Sequence, residues 1–184
     1  MTPTYLFLDT EWADAMGSEL VSLALVSEDG ALSFYAERAE LPAAPTDFVR
    51  DVVYPLLDRG NAALSDEVIT ANLRAFLNSM QAPTIMADYP NDLLLLRHAL
   101  SGFDMSDVQA QACGPIPRPV MTHMLKEGLT GMLVEEWFDA NPEQRTRRHH
   151  ALIDAHALRM AWLVATGRIP PPAWAKSAHR LLEP

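Results

Sequence analysis

The chain has 184 residues, of which 49% are hydrophobic, and it carries a net charge of −10. This length and composition predict one globular domain over residues 1–184, large enough to bury a sizeable core. The acidic charge argues against broad electrostatic binding to long nucleic acids, but it allows a small phosphate site in which metal ions balance the charge.

The sequence predicts a cytoplasmic protein without a membrane partner. No apolar stretch approaches the roughly 20 residues that span a bilayer. The N-terminus lacks the basic region and apolar segment of a signal peptide. Cys113 is the single cysteine, so the chain cannot form an internal disulfide, which is typical of a reducing compartment.

The first part of the chain predicts a meander of antiparallel strands followed by helices. Glu28-Asp29-Gly30 is a turn signal between the second and third strands, and Ser65 is a candidate N-cap for the second helix. The three strands are predicted at residues 4–10, 20–27 and 31–36. The two helices are predicted at residues 47–57 and 65–80.

The second part predicts a fourth strand, parallel to the first, and further helices. Residues 101–119 and 141–148 are interpreted as loops, the latter basic, and the end of the chain as a proline-rich tail. The fourth and fifth strands are predicted at residues 83–88 and 118–122, and the helices at residues 89–100, 132–139 and 149–166. The fold class is therefore α/β, with a mixed five-stranded sheet flanked by helices.

Two carboxylates end the first strand. Asp9 and Glu11 are two positions apart, so their side chains share one face of the strand. Carboxylates held this close repel each other unless a cation lies between them. Oxygen ligands suit hard divalent ions such as Mg²⁺ or Mn²⁺. A strand end with two solvated acids is the alternative.

Two further segments contain candidate catalytic residues. Asp88 and Asp92 follow the fourth strand, where ligands commonly bind in open α/β sheets, although the two residues could also merely favour the start of a helix. His149, His150 and Asp154 lie at the start of the last predicted helix. His149 can turn towards the same site as Asp154 if it lies in the loop before that helix.

These three segments together resemble the DEDD 3′–5′ exonucleases, in the subclass with a catalytic histidine (DEDDh). Asp9-Thr10-Glu11 is similar to the first motif, Asp92 to the aspartate of the second motif, and His149-x-Ala151-x-x-Asp154 to the third. Asp88 competes with Asp92 as the second-motif residue. Members of the family include RNase T, oligoribonuclease and a bacterial exoribonuclease that acts on adenylate-containing RNA.

The resemblance implies an RNase H-like fold and a mechanism with two ions of Mg²⁺ or Mn²⁺. Two such ions about 3.5–4 Å apart can activate a water and stabilise the charge of a phosphodiester under attack. Asp9 would then bridge both ions, Glu11 and Asp154 would complete the first ion's site, and Asp92 would hold the second ion. His149 would be the general base, a role that suits an imidazole near neutral pH.

The resemblance also implies a partner and an assembly. The partner would be the 3′ end of single-stranded RNA or DNA, with short RNA favoured, and the protein would be a homodimer that releases 5′-mononucleotides. Trp12 could stack on the terminal base or pack in the core. Arg147 and Arg148, with Arg145, could meet the phosphate backbone or belong to a solvated loop.

Two other functions fit the same residues. One is a catalytically silent nucleic-acid-binding module, which the five acidic or histidine residues at the expected catalytic positions disfavour. The other is a metal-dependent phosphatase or nucleotidase for small substrates, which an acidic surface would suit.

Overall fold

A mixed β-sheet with helices on both faces forms the framework of the protein. A computed structural model of the chain describes residues 4–117, 120–125 and 128–182. The strands are β1 (Thr4–Trp12), β2 (Leu20–Ser27), β3 (Ser33–Arg38), β4 (Ala63–Leu64), β5 (Pro83–Ala87) and β6 (Met121–Met124). The α-helices are α1 (Tyr54–Leu56), α2 (Asp66–Asn78), α3 (Pro90–Ser101), α4 (Asp107–Ala112), α5 (Leu129–Ala140), α6 (Pro142–Arg145), α7 (Ala151–Ala165) and α8 (Lys176–Leu182).

The strand order is β4-β3-β2-β1-β5-β6, which places β1 in the interior of the sheet. β1 pairs with β2 in antiparallel orientation and with β5 in parallel orientation, and β2 and β3 complete the antiparallel meander. Every residue of β2 is buried, because this strand has a neighbour on each side and helices over each face.

The two faces of β1 contact different helices. Leu6 and Leu8 pack with Leu96 of α3, whereas Phe7 packs with Trp162 of α7. Because side chains alternate along a strand, Asp9 and Glu11 continue the face of Phe7 and lie on the α7 side of the sheet, and Thr10 faces α3.

Side-chain caps explain where two helices begin. The side chain of Ser65 accepts a hydrogen bond from the backbone N–H of Val68, which confirms the predicted N-cap of α2. Ser106 and Gln109 form a capping box at the start of α4. Arg38 of β3 donates two hydrogen bonds, of 2.8 and 2.7 Å, to the carboxylate of Asp66, which fixes the first turn of α2 against the sheet.

A π-helical turn, Val49–Val53, leads into α1 and covers the end of β1. Val49 and Val53 are buried against Ala13 and Val21, so this segment is held by an apolar cluster of its own. Phe48, which precedes the turn, remains 50% exposed. The helix predicted at residues 47–57 is thus confirmed, with a π-turn in its middle, a distortion that often occurs at functional sites.

The predicted α/β class, the meander and the parallel fourth strand are confirmed, but the predicted number of five strands is wrong. The additional strand, β4, has only two residues, too few for an alternating pattern to predict. The strand predicted at residues 118–122 corresponds to Met121–Met124, and Arg118 and Pro119 lie outside the described residues.

Three segments that were interpreted as irregular contain short helices. α4 lies within residues 101–119, α6 lies within the basic segment 141–148, and α8 lies within the proline-rich tail. Each is short, so its helical pattern is too brief to detect by periodicity. Within the ranges that the structure describes, no helix has both the length and the apolar character needed to cross a membrane.

Candidate active site

A cavity of about 460 Å³ lies at the end of β1 and is lined by residues from all three candidate segments. The structure therefore brings together all five predicted catalytic residues, together with Trp12, although they are far apart in the chain. The predicted residues that line this cavity are Asp9, Glu11, Trp12, Asp92, His149 and Asp154.

The cavity forms where two parallel strands separate. The pairing of β1 with β5 ends at Phe7 and Met86, and β1 then continues alone on that side for five more residues, to Trp12. Asp9 and Glu11 lie in this extension. In open α/β sheets, ligands usually bind at the carboxyl ends of the strands, at the point where the strand order reverses.

One group of potential metal ligands in this cavity consists of Glu11, His149 and Asp154, whose ligand atoms all lie within 4.8 Å of one another. Asp9 and Asp92 line the same cavity outside this group. The first turn of α7 positions Asp154, and one of its oxygens, Oδ2, accepts a hydrogen bond of 3.1 Å from the backbone N–H of His149.

Two carboxylate oxygens at this site are buried without a hydrogen-bond partner among the described residues. They are Oδ2 of Asp9 and Oδ1 of Asp154. Buried polar atoms are nearly always paired, because an unpaired one costs about 1–3 kcal/mol. Two such oxygens in one acidic cavity fit a bound cation, which would pair with both of them.

The electrostatics of the cavity support the same conclusion. Burial, with the negative charges of Asp154 and Glu11 in addition, raises the pKa of Asp9 well above its usual range. Burial and the charges of Asp154 and Asp92 raise the pKa of Glu11 to about 8. Carboxylates in this situation lack a positive counter-charge, which a divalent ion would supply.

Asp92 is the more buried of the two candidates from the second segment. Its side chain accepts a hydrogen bond of 2.7 Å from the hydroxyl of Thr10, and the residue is 1% exposed. Burial raises its pKa to about 7, although the Thr10 hydroxyl opposes this shift. Asp88 is exposed and lines the same cavity, so both carboxylates remain available to a cation there.

His149 lies in the loop before α7, so the predicted start of this helix at residue 149 is wrong. Its φ of 71° is in the left-handed region, and the helix begins two residues later, at Ala151. The imidazole contacts the edge of Phe48, with ring centroids 5.0 Å apart. Burial, aided by the charge of Arg148, lowers the pKa of His149, so the ring is neutral near pH 7 and can accept a proton.

Trp12 remains within β1, so the first strand extends two residues beyond the predicted range of residues 4–10. A β-bulge between Glu11 and Trp12 shifts the register. Trp12 is half-buried against the apolar core and stacks on Tyr89, with ring centroids 5.5 Å apart and an interplanar angle of 22°. Packing against the core is thus confirmed for Trp12, which also lines the cavity, and stacking on a terminal base stays a prediction.

Two aromatic residues of the cavity, Tyr89 and Phe48, were not predicted as site residues. Tyr89 lies directly between the candidates Asp88 and Asp92 and is 53% exposed. An exposed aromatic residue between two candidate carboxylates was the available signal for Tyr89. Phe48 approaches His149 only through the tertiary fold, and no local pattern indicated it.

The arginines predicted to bind substrate do not line the cavity and are engaged in ion pairs. Arg147 donates to Asp58 at 2.7 Å and Arg148 to Glu135 at 2.6 Å. Arg145 pairs with Asp139. A guanidinium has five N–H groups, so each arginine retains donors for a phosphate, and the predicted substrate contacts remain predictions.

The loop after β1 forms one wall of the cavity, and hydrogen bonds stabilise its conformation. The carboxylate of Asp14 accepts hydrogen bonds from the backbone N–H groups of Met16, Ser18 and Glu19. Gly17 has a φ of 70°, and a Cβ added there would lie 1.8 Å from Nδ2 of Asn91. This position accordingly requires glycine.

We expect the metal-free protein to lose stability as the pH rises from about 5 to about 8. The folded-state pKa values of Glu11 (about 8) and Asp154 (about 7) lie above those of the unfolded chain, near 4. Folding therefore favours the protonated carboxyls, and the stabilisation is lost as they ionise. Thermal unfolding with EDTA at several pH values measures this effect.

Added Mn²⁺ should raise the unfolding temperature more at pH 8 than at pH 5, because the ion competes with protons for the same oxygens. The variant Asp9→Asn should show a smaller loss of stability with pH than the parent protein. Identical pH profiles for the two proteins would contradict the charge repulsion inferred for this cavity.

No family model matches the chain, and no curated protein sequence matches it. Its function is therefore inferred from its residues and their geometry.

Proposed function

We propose that the protein is a metal-dependent 3′–5′ exonuclease of the DEDDh class with an RNase H-like fold. One observation supports this most directly: five residues in the family's motif order line one cavity, and two of their carboxylate oxygens are buried without a hydrogen-bond partner in the described part of the chain. The six-stranded mixed sheet, with these residues at the end of β1, is compatible with the proposed fold.

The carboxylates supply the ligands for the proposed ions. Asp9, Glu11, Asp92 and Asp154 would hold two ions of Mg²⁺ or Mn²⁺, which when bound lower the pKa of a water and stabilise negative charge on the phosphate. Hard oxygen donors of this kind suit both metals.

His149 carries the proton transfer in the proposed reaction. Its neutral imidazole accepts a proton from the water that attacks phosphorus. The bond between phosphorus and the 3′ oxygen of the remaining strand then breaks, that oxygen takes up a proton from solvent to become the new 3′ hydroxyl, and a 5′-mononucleotide leaves. The hydrogen bond from the His149 backbone to Asp154 keeps the base beside the proposed ligands.

The cavity favours the end of a single strand as substrate. Its volume of about 460 Å³ is within the range of small-ligand sites, which suits one terminal nucleotide. The net charge of −10 disfavours extended contact with a long polyanion. A short single strand is therefore the favoured substrate, and the resemblance to the DEDDh exonucleases favours RNA, with single-stranded DNA as the alternative.

Digestion of matched 5′-labelled RNA and DNA oligomers with Mn²⁺ tests the proposal. We expect products that shorten one nucleotide at a time from the 3′ end, and no cleavage of a circular RNA. Binding without hydrolysis would indicate a silent module instead. Hydrolysis of a mononucleotide in preference to the oligomers would indicate a phosphatase or nucleotidase.

The stacked pair of Trp12 and Tyr89 provides a platform for the terminal base. Stacking on an aromatic residue contributes about 1–3 kcal/mol per base. We expect Tyr89→Ala to raise the KM for an oligonucleotide about 5- to 100-fold, with kcat little changed. Steady-state kinetics on a labelled trinucleotide measure both constants.

Leu94→Ala is the matched control for Tyr89→Ala. Leu94 lies on the same helix and is 58% exposed, but it does not line the cavity. Its removal should leave KM unchanged. Tyr89 is preferred to Trp12 for this test because Trp12 also packs against the core, so its removal would combine binding and stability effects. Equal KM values for the parent protein and Tyr89→Ala would exclude Tyr89 from the platform.

A further inference from the structure

A second polar cluster lies beside the candidate active site, on the same face of the sheet. Ser22 of β2 pairs with Glu11 on one side and with Glu37 of β3 on the other, so the three side chains form one row across the sheet. Ligand-type atoms of Glu37, Asp58 and His150 lie within 4.8 Å of one another at the far end of this row.

His150 is the unusual member of this cluster. It is 1% exposed, and neither ring nitrogen has a hydrogen-bond partner among the residues that the structure describes. Its Nε2 points at Asp58, 3.4 Å from Oδ2, and its ring stacks on Tyr35 with centroids 4.6 Å apart. This imidazole therefore contacts the carboxylate of Asp58.

The charges of the cluster are already balanced, which argues against a further metal site. The carboxylate of Glu37 accepts bonds from the Tyr35 hydroxyl at 2.6 Å and from the backbone N–H groups of Asp58 and Arg59 at 2.6 and 3.0 Å. The guanidinium of Arg59 lies 3.4 Å from Glu37, and that of Arg147 lies 2.7 Å from Asp58. A divalent cation would have to compete with both arginines.

The contacts instead form a chain that leads to His149. Glu37, which is fully buried on β3, holds the backbone of Asp58. The side chain of Asp58 in turn contacts Arg147 and His150, which lie on either side of Arg148 and His149. Asp58 thus contacts side chains on both sides of the proposed general base, that of Arg147 before it and that of His150 after it.

His149 needs such support because of its backbone conformation. A residue with a Cβ disfavours a φ of 71° and adopts it only where neighbouring contacts hold it there. The hydrogen bond from its backbone N–H to Asp154 holds His149 itself. Asp58 holds Arg147 and His150 through their side chains.

We propose that Asp58 is a positioning residue that keeps the His149 imidazole in the cavity. Asp58 acts through Arg147 and His150 and does not line the cavity itself. This inference rests on the proposed function, in which His149 is the general base.

The variant Asp58→Ala should lower kcat about 10- to 100-fold, the loss that follows a displacement of about 1 Å in a catalytic group. The affinity for Mn²⁺, measured by titration calorimetry, should stay unchanged because the carboxylates are not moved, and KM should change less than kcat because the platform is intact. Asp58→Asn keeps an acceptor for Arg147 and should recover part of the rate. It also carries the test if Asp58→Ala does not fold.

Asp139→Asn is the matched control. It removes the acidic partner of Arg145, on the same basic segment, but Asp139 contacts neither neighbour of His149. This variant should retain the kcat of the parent protein. An equal loss of kcat in Asp139→Asn would show that the removal of any ion pair of this segment lowers kcat. It would overturn a specific role for Asp58.

A double-mutant cycle with His149→Ala separates positioning from general damage. If Asp58 acts through His149, adding Asp58→Ala to His149→Ala should lower kcat by less than about twofold. Losses that multiply would overturn the inference, as would an unchanged kcat in both Asp58 variants of an active protein. Binding of Zn²⁺ that disappears in Asp58→Asn would show a metal site instead. A parent protein without nuclease activity would overturn the proposed function and this inference together.

Discussion

Asp9→Asn is expected to abolish hydrolysis and to leave the fold intact. In the proposed mechanism Asp9 serves both ions, so the loss of its charge disables both sites at once. The same change removes a carboxylate whose pKa is raised by burial and by the neighbouring Asp154 and Glu11. Relief of this repulsion should stabilise the metal-free protein by about 0.5–2 kcal/mol.

Three measurements on purified Asp9→Asn test this expectation. Oligonucleotide hydrolysis should fall below detection, the circular dichroism spectrum should be unchanged, and the unfolding temperature in EDTA should rise. Asp47→Asn is a suitable control, because Asp47 is an exposed acid paired with Arg50 outside the cavity. Substantial residual hydrolysis by Asp9→Asn would rule out the two-ion mechanism.

His149→Ala is expected to lower kcat about 10²- to 10⁴-fold, the usual cost of losing a general base. KM should change little, because the stacked pair Trp12 and Tyr89 is untouched. Single-turnover kinetics on a labelled oligonucleotide measure the chemical step directly. His123→Ala, which removes an exposed histidine of β6, should have the activity of the parent protein.

His149→Gly separates the chemistry of this residue from its conformation. Glycine adopts a positive φ readily, so His149→Gly should be as inactive as His149→Ala but more stable. Activity that survives in both variants and disappears in His150→Ala would show that the general base is His150 and not His149. The structure disfavours that result, because His149 lines the cavity and His150 does not.

The candidate site was predictable where short-range patterns determine position. Alternation along a strand is enough to place Asp9 and Glu11 on one face of β1. The spacing of His149 and Asp154 was enough to suggest that the two would share a site if His149 preceded the helix, although the predicted helix began at residue 149. The strand–helix alternation likewise predicted the α/β class. Each of these inferences depends on residues within a few positions of one another.

The remaining features depend on contacts between distant parts of the chain. Asp58 and Arg147 are 89 positions apart, and no pattern in either segment indicates their ion pair. The bulge after Glu11 results from the pairing of β1 with Leu20 and Ser22 of β2. β4 has only two residues, which pair with the end of β3, so its formation depends on the sheet rather than on its own sequence.

The position of the acidic cavity also has a consequence for the order of events in folding. Asp9 belongs to the first strand and Asp154 to the last long helix, so bringing their carboxylates together closes a loop of most of the chain, and we expect a contact of such high entropic cost to form late. A cation held between them would bind the native state and not the unfolded chain. Because such contacts form late, the ion would slow unfolding and leave the folding rate nearly unchanged. The metal would then prolong the lifetime of the folded state, in addition to its part in hydrolysis.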